Sequence, residues 1–234
     1  MFNVLHYDSI DSTSDEAKRL AAQGAPHGAV VHADQQTAGR GRLARRWVSP
    51  PGNLYMSVLL RLDVPPARLP ELSFLTAIAV AEALDALLPK DARARLKWPN
   101  DVLVQGGKIA GILLEHSDGA TIIGIGLNVL HAPANADYQT ASILACGGLA
   151  TVDGARDILL TRLEAHLATW LAEGFEPVRT GWLERAHRTG TEVRVNVGGQ
   201  TVDGTFAGLD VDGALLLETG DGRRRVVAGD VAML

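Results

Sequence analysis

Apolar and polar positions follow two different periods along this chain, and the changes of period mark its elements. Residues 13–16, Thr-Ser-Asp-Glu, have the Ser/Thr-x-x-Glu form of a capping box, and Gly24 would stop the helix it opens. Residues 29–33 and 54–62 read as strands on either side of a polar loop. Residues 71–88, rich in alanine and leucine and ended by Pro89, predict a long amphipathic helix. Strand-like runs follow at 93–97, 101–104, 108–116 and 121–127, with a Gly106-Gly107 turn making the middle pair a hairpin. After a loop from His131 to Gly148 come helices over 154–172 and 177–186. From Arg188 the pattern changes to short runs at 192–197, 200–207, 214–218 and 223–228. Gly198-Gly199, Asp212-Gly213 and Asp221-Gly222 separate them, the spacing of a small antiparallel barrel. The chain is therefore expected to be α+β, with a larger domain over 1–187 and a β domain over 188–234.

Composition narrows the class. With 47% hydrophobic residues among 234, the chain can bury a core. No apolar run approaches the roughly 18 residues that cross a bilayer, and residues 1–8 lack the basic start and apolar core of a signal peptide. Cys146 is the only cysteine, which leaves no internal disulfide and no sign of a metal cage. These features predict a cytoplasmic protein without a membrane partner. A formal net charge of −5, with four arginines against seven carboxylates from Thr189 onward, argues against a nucleic-acid partner.

Against that acidic background one stretch stands out. Arg40, Arg42, Arg45 and Arg46 lie in the glycine-spaced segment from Gln36 to Trp47, and no acidic residue occurs between Gln35 and Leu62. Guanidinium forks match phosphate oxygens in pairs, and glycine lets backbone N–H groups approach an anion. A solvated basic loop is the alternative reading. Downstream, Lys97-Trp98-Pro99-Asn100-Asp101 is followed by Lys108-Ile109-Ala110-Gly111. Two of only four lysines bracket this cluster, where a compact ammonium can follow moving charge better than a rigid fork. They could equally be two surface lysines. The residue before proline is held extended, which puts Asn100-Asp101 in a turn.

Together these motifs resemble the biotin protein ligases. The resemblance takes in Asp11-Ser12-Thr13-Ser14, the Gln36–Trp47 loop, Asn53-Leu54-Tyr55, 97–101, 108–115, Gly124-Ile125-Gly126-Leu127-Asn128 and 213–218. It implies a mixed sheet flanked by helices, of the class II aminoacyl-tRNA synthetase-like kind, and an SH3-like C-terminal barrel. It implies that biotin and ATP, with Mg2+, form biotinyl-5′-AMP, whose biotin passes to a lysine of a biotin carboxyl carrier protein. A homodimer is a family expectation. A helix-turn-helix repressor domain is not expected, since eleven residues precede Ser12. Carried over residue by residue, the resemblance assigns catalysis to Lys108, Arg42 and Asp101. It assigns biotin contacts to Ser12, Thr13, Ser14, Gln36, Arg40, Gly41, Arg42, Lys108 and Gly111, with Gly126 also leaving room for the tail. Adenylate contacts fall to Arg40, Arg42, Arg45, Trp47, Asn100, Lys108 and Asn128; the metal ligands stay open. Ser14 stands where asparagine is usual, and Ala44 where glycine is often found. A lipoate or octanoate ligase of related fold is the alternative activity.

Overall fold

The computed structural model describes residues 2–134 and 136–233. Its larger body is built on a seven-stranded sheet. In chain order the strands are β1 (Asn3–Ile10), β2 (Ala29–Gln36), β3 (Leu54–Leu60), β4 (Ala94–Lys97), β5 (Asp101–Val104), β6 (Gly107–Ser117) and β7 (Ala120–Leu127). Across the sheet they run β1-β2-β3-β7-β6-β5-β4. Only β1 and β2 are parallel; every other neighbouring pair is antiparallel, so the sheet is mixed. β1 is an addition to the sequence-predicted strands.

The sheet buries both faces. On one lie α2 (Glu71–Leu87), α3 (Val152–Glu173) and α4 (Glu176–Arg185), which share the main core with Val30, Met56 and Ile125. On the other lies α1 (Thr13–Ala22), whose Ala17 packs on Val31 and Ile122. Alternate residues of β2, Val30 and Val31, thus serve opposite faces, as a strand's period of two requires. α2 departs from the amphipathic expectation. It is buried almost all round, because the sheet, α3 and α4 enclose it; Glu71 is tolerated there through a 2.5 Å hydrogen bond from Trp170 Nε1.

Two local signals are displaced by one residue. The cap of α1 is Ser12, whose Oγ accepts from the Asp15 N–H at 3.4 Å, whereas the predicted Thr13 turns inward to Gln36. The β5–β6 turn is Gln105-Gly106, both at positive φ, and Gly107 opens β6.

The C-terminal part is a five-stranded antiparallel sheet of β8 (Glu192–Val197), β9 (Gln200–Leu209), β10 (Leu215–Thr219), β11 (Gly222–Val226) and β12 (Asp230–Met233), ordered β11-β10-β9-β8-β12. Among the described residues no ladder joins β11 to β12, so the expected closed barrel is an open sheet. Its apolar side is covered by the larger body instead: Val193, Val195, Phe206, Leu215 and Leu217 join the same core as Phe74 and Trp182. Trp98 Nε1 donates to Gly213 O at 3.0 Å across that junction.

Candidate active site

A cavity of about 560 Å³ opens where α1, the Gln36–Trp47 loop, the β4–β5 turn, β6, β7 and the C-terminal sheet meet. Its floor is glycine. Gly111 of β6 and Gly126 of β7 oppose each other in register, and the Trp47 indole lies against both. A Cβ at Gly126 would come within 2.5 Å of the ring, so the close approach requires glycine there. The indole Nε1 is buried without a partner among the described residues.

One wall is a chain of hydroxyls and amides. Buried Ser14 Oγ lies 3.1 Å from Ser57 Oγ, which donates to Thr13 Oγ1 at 2.9 Å. Thr13 donates to Gln36 Oε1 through both N–H (2.8 Å) and Oγ1 (3.1 Å). Gln36 Nε2 then reaches Ser49 Oγ at 2.9 Å, and Ser49 donates to the Trp47 carbonyl at 2.9 Å. The wall therefore links the start of α1 to the end of the basic loop. A Cβ at Gly124 would stand 2.7 Å from Ser14 Oγ, so glycine there leaves room for the hydroxyl.

The opposite wall holds cations from separated segments. Lys97 and Asp101 face each other across the β4–β5 pair, and Lys108 rises from β6. Asp101 Oδ1 is 2.6 Å from Lys108 Nζ and Asp101 Oδ2 is 3.2 Å from Lys97 Nζ, so one carboxylate holds two ammoniums. Lys108 Nζ also lies 5.5 Å from the ring centres of both Trp47 and Tyr138. Burial raises the Tyr138 phenol pKa, with the charge of Asp101 adding to it.

Three of the four loop arginines are matched to a carboxylate. Arg42 Nη1 is 3.3 Å from Asp230 Oδ1, and also donates to Asn100 Oδ1 at 3.3 Å and Gly229 O at 3.2 Å. Arg45 Nη2 is 2.5 Å from Asp230 Oδ2. Arg40 pairs with Asp15 at 2.5 Å and lies 3.7 Å from Glu115. Thus Asp230, at the start of β12, binds the basic loop to the C-terminal sheet. An entering polyanion would compete with these carboxylates for the same cations.

Of the residues named from sequence, Ser12, Thr13, Ser14, Gln36, Arg40, Gly41, Arg42, Arg45, Trp47, Asn100, Asp101, Lys108 and Gly111 all line this cavity. Asn128 does not. It is 3 % exposed, and its Nδ2 donates to Ala141 O at 2.9 Å, tying the loop after β7 to the segment before α3. Sequence reasoning missed Ser57, Ser49 and Asp230. Asp230 carries no local signal, because its partners lie 188 and 185 positions away.

Known proteins are similar to this chain in sequence and fold. The biotin/lipoate A/B protein ligase family matches residues 7–130, and the biotin protein ligase C terminal domain matches residues 189–234. The chain is 38% identical over 232 residues to a biotin–[acetyl-CoA-carboxylase] ligase of Paracoccus denitrificans, covering 94% of this chain and 96% of that protein. It is 34% identical over 242 residues to the bifunctional ligase/repressor BirA of Bacillus subtilis, covering 99% and 74%. The fold is similar to a biotin protein ligase from Aquifex aeolicus in complex with biotin and ATP, with a TM-score of 0.86, 28% identity, and coverage of 100% and 99%.

Proposed function

Since the chain belongs to the biotin/lipoate A/B protein ligase family, we propose that it is an ATP-dependent biotin–protein ligase. One observation carries this reading: Lys97 and Lys108, from one stretch of strands, and Arg42, from a distant loop, line one cavity beside a polar wall and a glycine floor. In the first step the biotin carboxylate attacks the α-phosphorus of ATP, forming biotinyl-5′-AMP and releasing pyrophosphate. In the second a lysine amine of a biotin carboxyl carrier protein attacks the mixed anhydride, takes the biotinyl group and expels AMP. The first step brings an anion to a polyanion, so charge neutralisation and alignment supply most of the catalysis.

Lys108 neutralises the biotin carboxylate and the α-phosphate together, oriented by Asp101. Arg42, with Arg40 and Arg45, leaves its carboxylate for the phosphates when the nucleotide enters. Ser12, Thr13, Ser14 and Gln36 face the ureido ring; the tail lies over Gly111, and Trp47 closes the loop and offers its Nε1. Asn100 orients Arg42 beside the nucleotide. Asn128 supports the adenine side from behind, through the Ala141 contact.

Magnesium suits this site as a companion of the nucleotide. Asp101 and Asp230 line the cavity, but each already holds two cationic side chains, so the protein offers no ready carboxylate cage. The ion would be held mainly by phosphate oxygens and water, neutralising charge on the phosphates.

The catalytic part is residues 1–187, and 188–234 form an SH3-like appendage that seats the basic loop. The protein is cytoplasmic and forms homodimers; among the described residues no helix is long and apolar enough to cross a membrane. Incubation with labelled biotin, ATP and a carrier domain, followed by mass measurement, tests the activity. One added biotinyl group is expected; an unmodified carrier, or thermal stabilisation by lipoate with ATP and not by biotin, would overturn it.

A further inference from the structure

A second cavity, of about 570 Å³, lies where β4, the segment after α4 and the C-terminal sheet meet. Its charged and titratable lining is Arg95, Arg179, Glu184, His187, Arg188 and Arg223. Two of these arginines are already engaged. Arg179 donates to the carbonyls of Leu209 and Asp210 and pairs with Glu176 at 3.1 Å, while Arg223 pairs with Glu218 at 2.5 Å. The guanidiniums of Arg95 and Arg188 make no hydrogen bond or ion pair among the described residues. His187, next to Arg188 in the chain, lines the same cavity, and its Nε2 is buried from solvent without a partner among the described residues. Its pKa is lowered by burial first and then by the charges of Arg95 and Lys97, which keeps the imidazole neutral near pH 7.

Two exposed, unmatched guanidiniums from separate segments thus line one concavity, with Glu184 the only carboxylate among its described lining residues. Positive charge gathered this way is unfavourable by itself, and the protein's formal net charge of −5 does nothing to relieve it locally. Forked donors on two separate segments outnumber what one carboxylate accepts, whereas a tetrahedral oxyanion offers several oxygens at once.

We propose that this cavity is a second anion site, taking a small oxyanion of the phosphate class between Arg95 and Arg188. Arg95 and Lys97 stand two residues apart on β4 and so on the same face of it, which puts the anion beside the substrate cavity along that strand. The inference does not depend on the proposed ligase activity.

Calorimetric titration of the full chain with inorganic pyrophosphate, and separately with inorganic phosphate, tests it. Arg95→Ala and Arg188→Ala should each weaken binding about tenfold, the loss expected for a charge-assisted contact. Neither side chain contacts the folded core by hydrogen bonds, so melting temperatures should be unchanged. Arg42→Ala, which alters the substrate cavity, should leave this binding intact. AMP separates the sources: binding equal to phosphate means a free-anion site, and tighter binding means a subsite for a nucleotide's phosphate. Absence of binding by all three probes, or binding that Arg42→Ala abolishes and Arg95→Ala does not, would overturn the proposal.

Discussion

Lys108 is held by Asp101 at 2.6 Å, between two aromatic rings, in a cavity it shares with Lys97 and with arginines from a different part of the chain. Its ammonium is therefore placed before any substrate arrives, which is the condition for electrostatic catalysis. Lys108→Ala should lower the rate of adenylate formation by about 10²–10³-fold, by analogy with removal of one oxyanion donor. Asp101→Asn should also slow it, by releasing Lys97 and Lys108 from their shared partner; single-turnover kinetics would show the loss in the chemical step. These residues were legible because each sat in a compact motif: glycine-spaced arginines, a lysine pair around Trp-Pro-Asn-Asp. Asn128 was legible only as a polar residue after a strand, and its amide works on the backbone of Ala141. Ser57 was hidden by its setting, an apolar strand in which a single hydroxyl looks like a neutral filler; only the fold brings it to Thr13 and Ser14.

Gly126 and Tyr55, partners across the β3–β7 pair, hold the C-terminal end of the basic loop at the level of elements, through Trp47 and Pro50. Gly126→Ala puts a methyl group into the Trp47 ring, so the indole must leave the floor. Ligand affinity should fall and protease cleavage between Gly39 and Trp47 should rise; a loop as resistant as the wild type would refute the assigned contact. Tyr55, deep in β3, donates to Pro50 O at 2.8 Å, and burial pushes its phenol pKa up to about 12 from 10.0. The folded state therefore keeps a proton that the unfolded chain releases, and stability is lost as pH rises from 10 towards 12. Denaturant melts across that range should show a fall of about 2–3 kcal/mol that Tyr55→Phe lacks. Most elements were readable from period and punctuation. β1 was not, because its half-exposed mix of polar and apolar residues has no clean alternation, and β12 is only four residues long. α2 showed its length but not its surroundings, since alanine-rich helices look alike whether half or wholly buried.

Across the whole molecule, the C-terminal sheet is tied to the catalytic loop by Asp230 and to the β4–β5 turn by the Trp98–Gly213 hydrogen bond. Without Asp230, Arg42 and Arg45 have no carboxylate to leave when the nucleotide enters. Asp230→Ala should therefore lower the KM for ATP by roughly fivefold, the equivalent of a partly buried ion pair near 1 kcal/mol, with little change in melting temperature. An unaltered KM would show that the sheet only covers the core. The open edge of that sheet was not legible, because strand spacing specifies hairpins and leaves closure to tertiary packing. The most direct test of the central claim is biotin-dependent exchange of labelled pyrophosphate into ATP, compared between the wild type, Lys108→Ala and Arg42→Ala at equal foldedness. Exchange should require biotin in the wild type and be nearly lost in both variants. Exchange at the wild-type rate in both variants would contradict the claim.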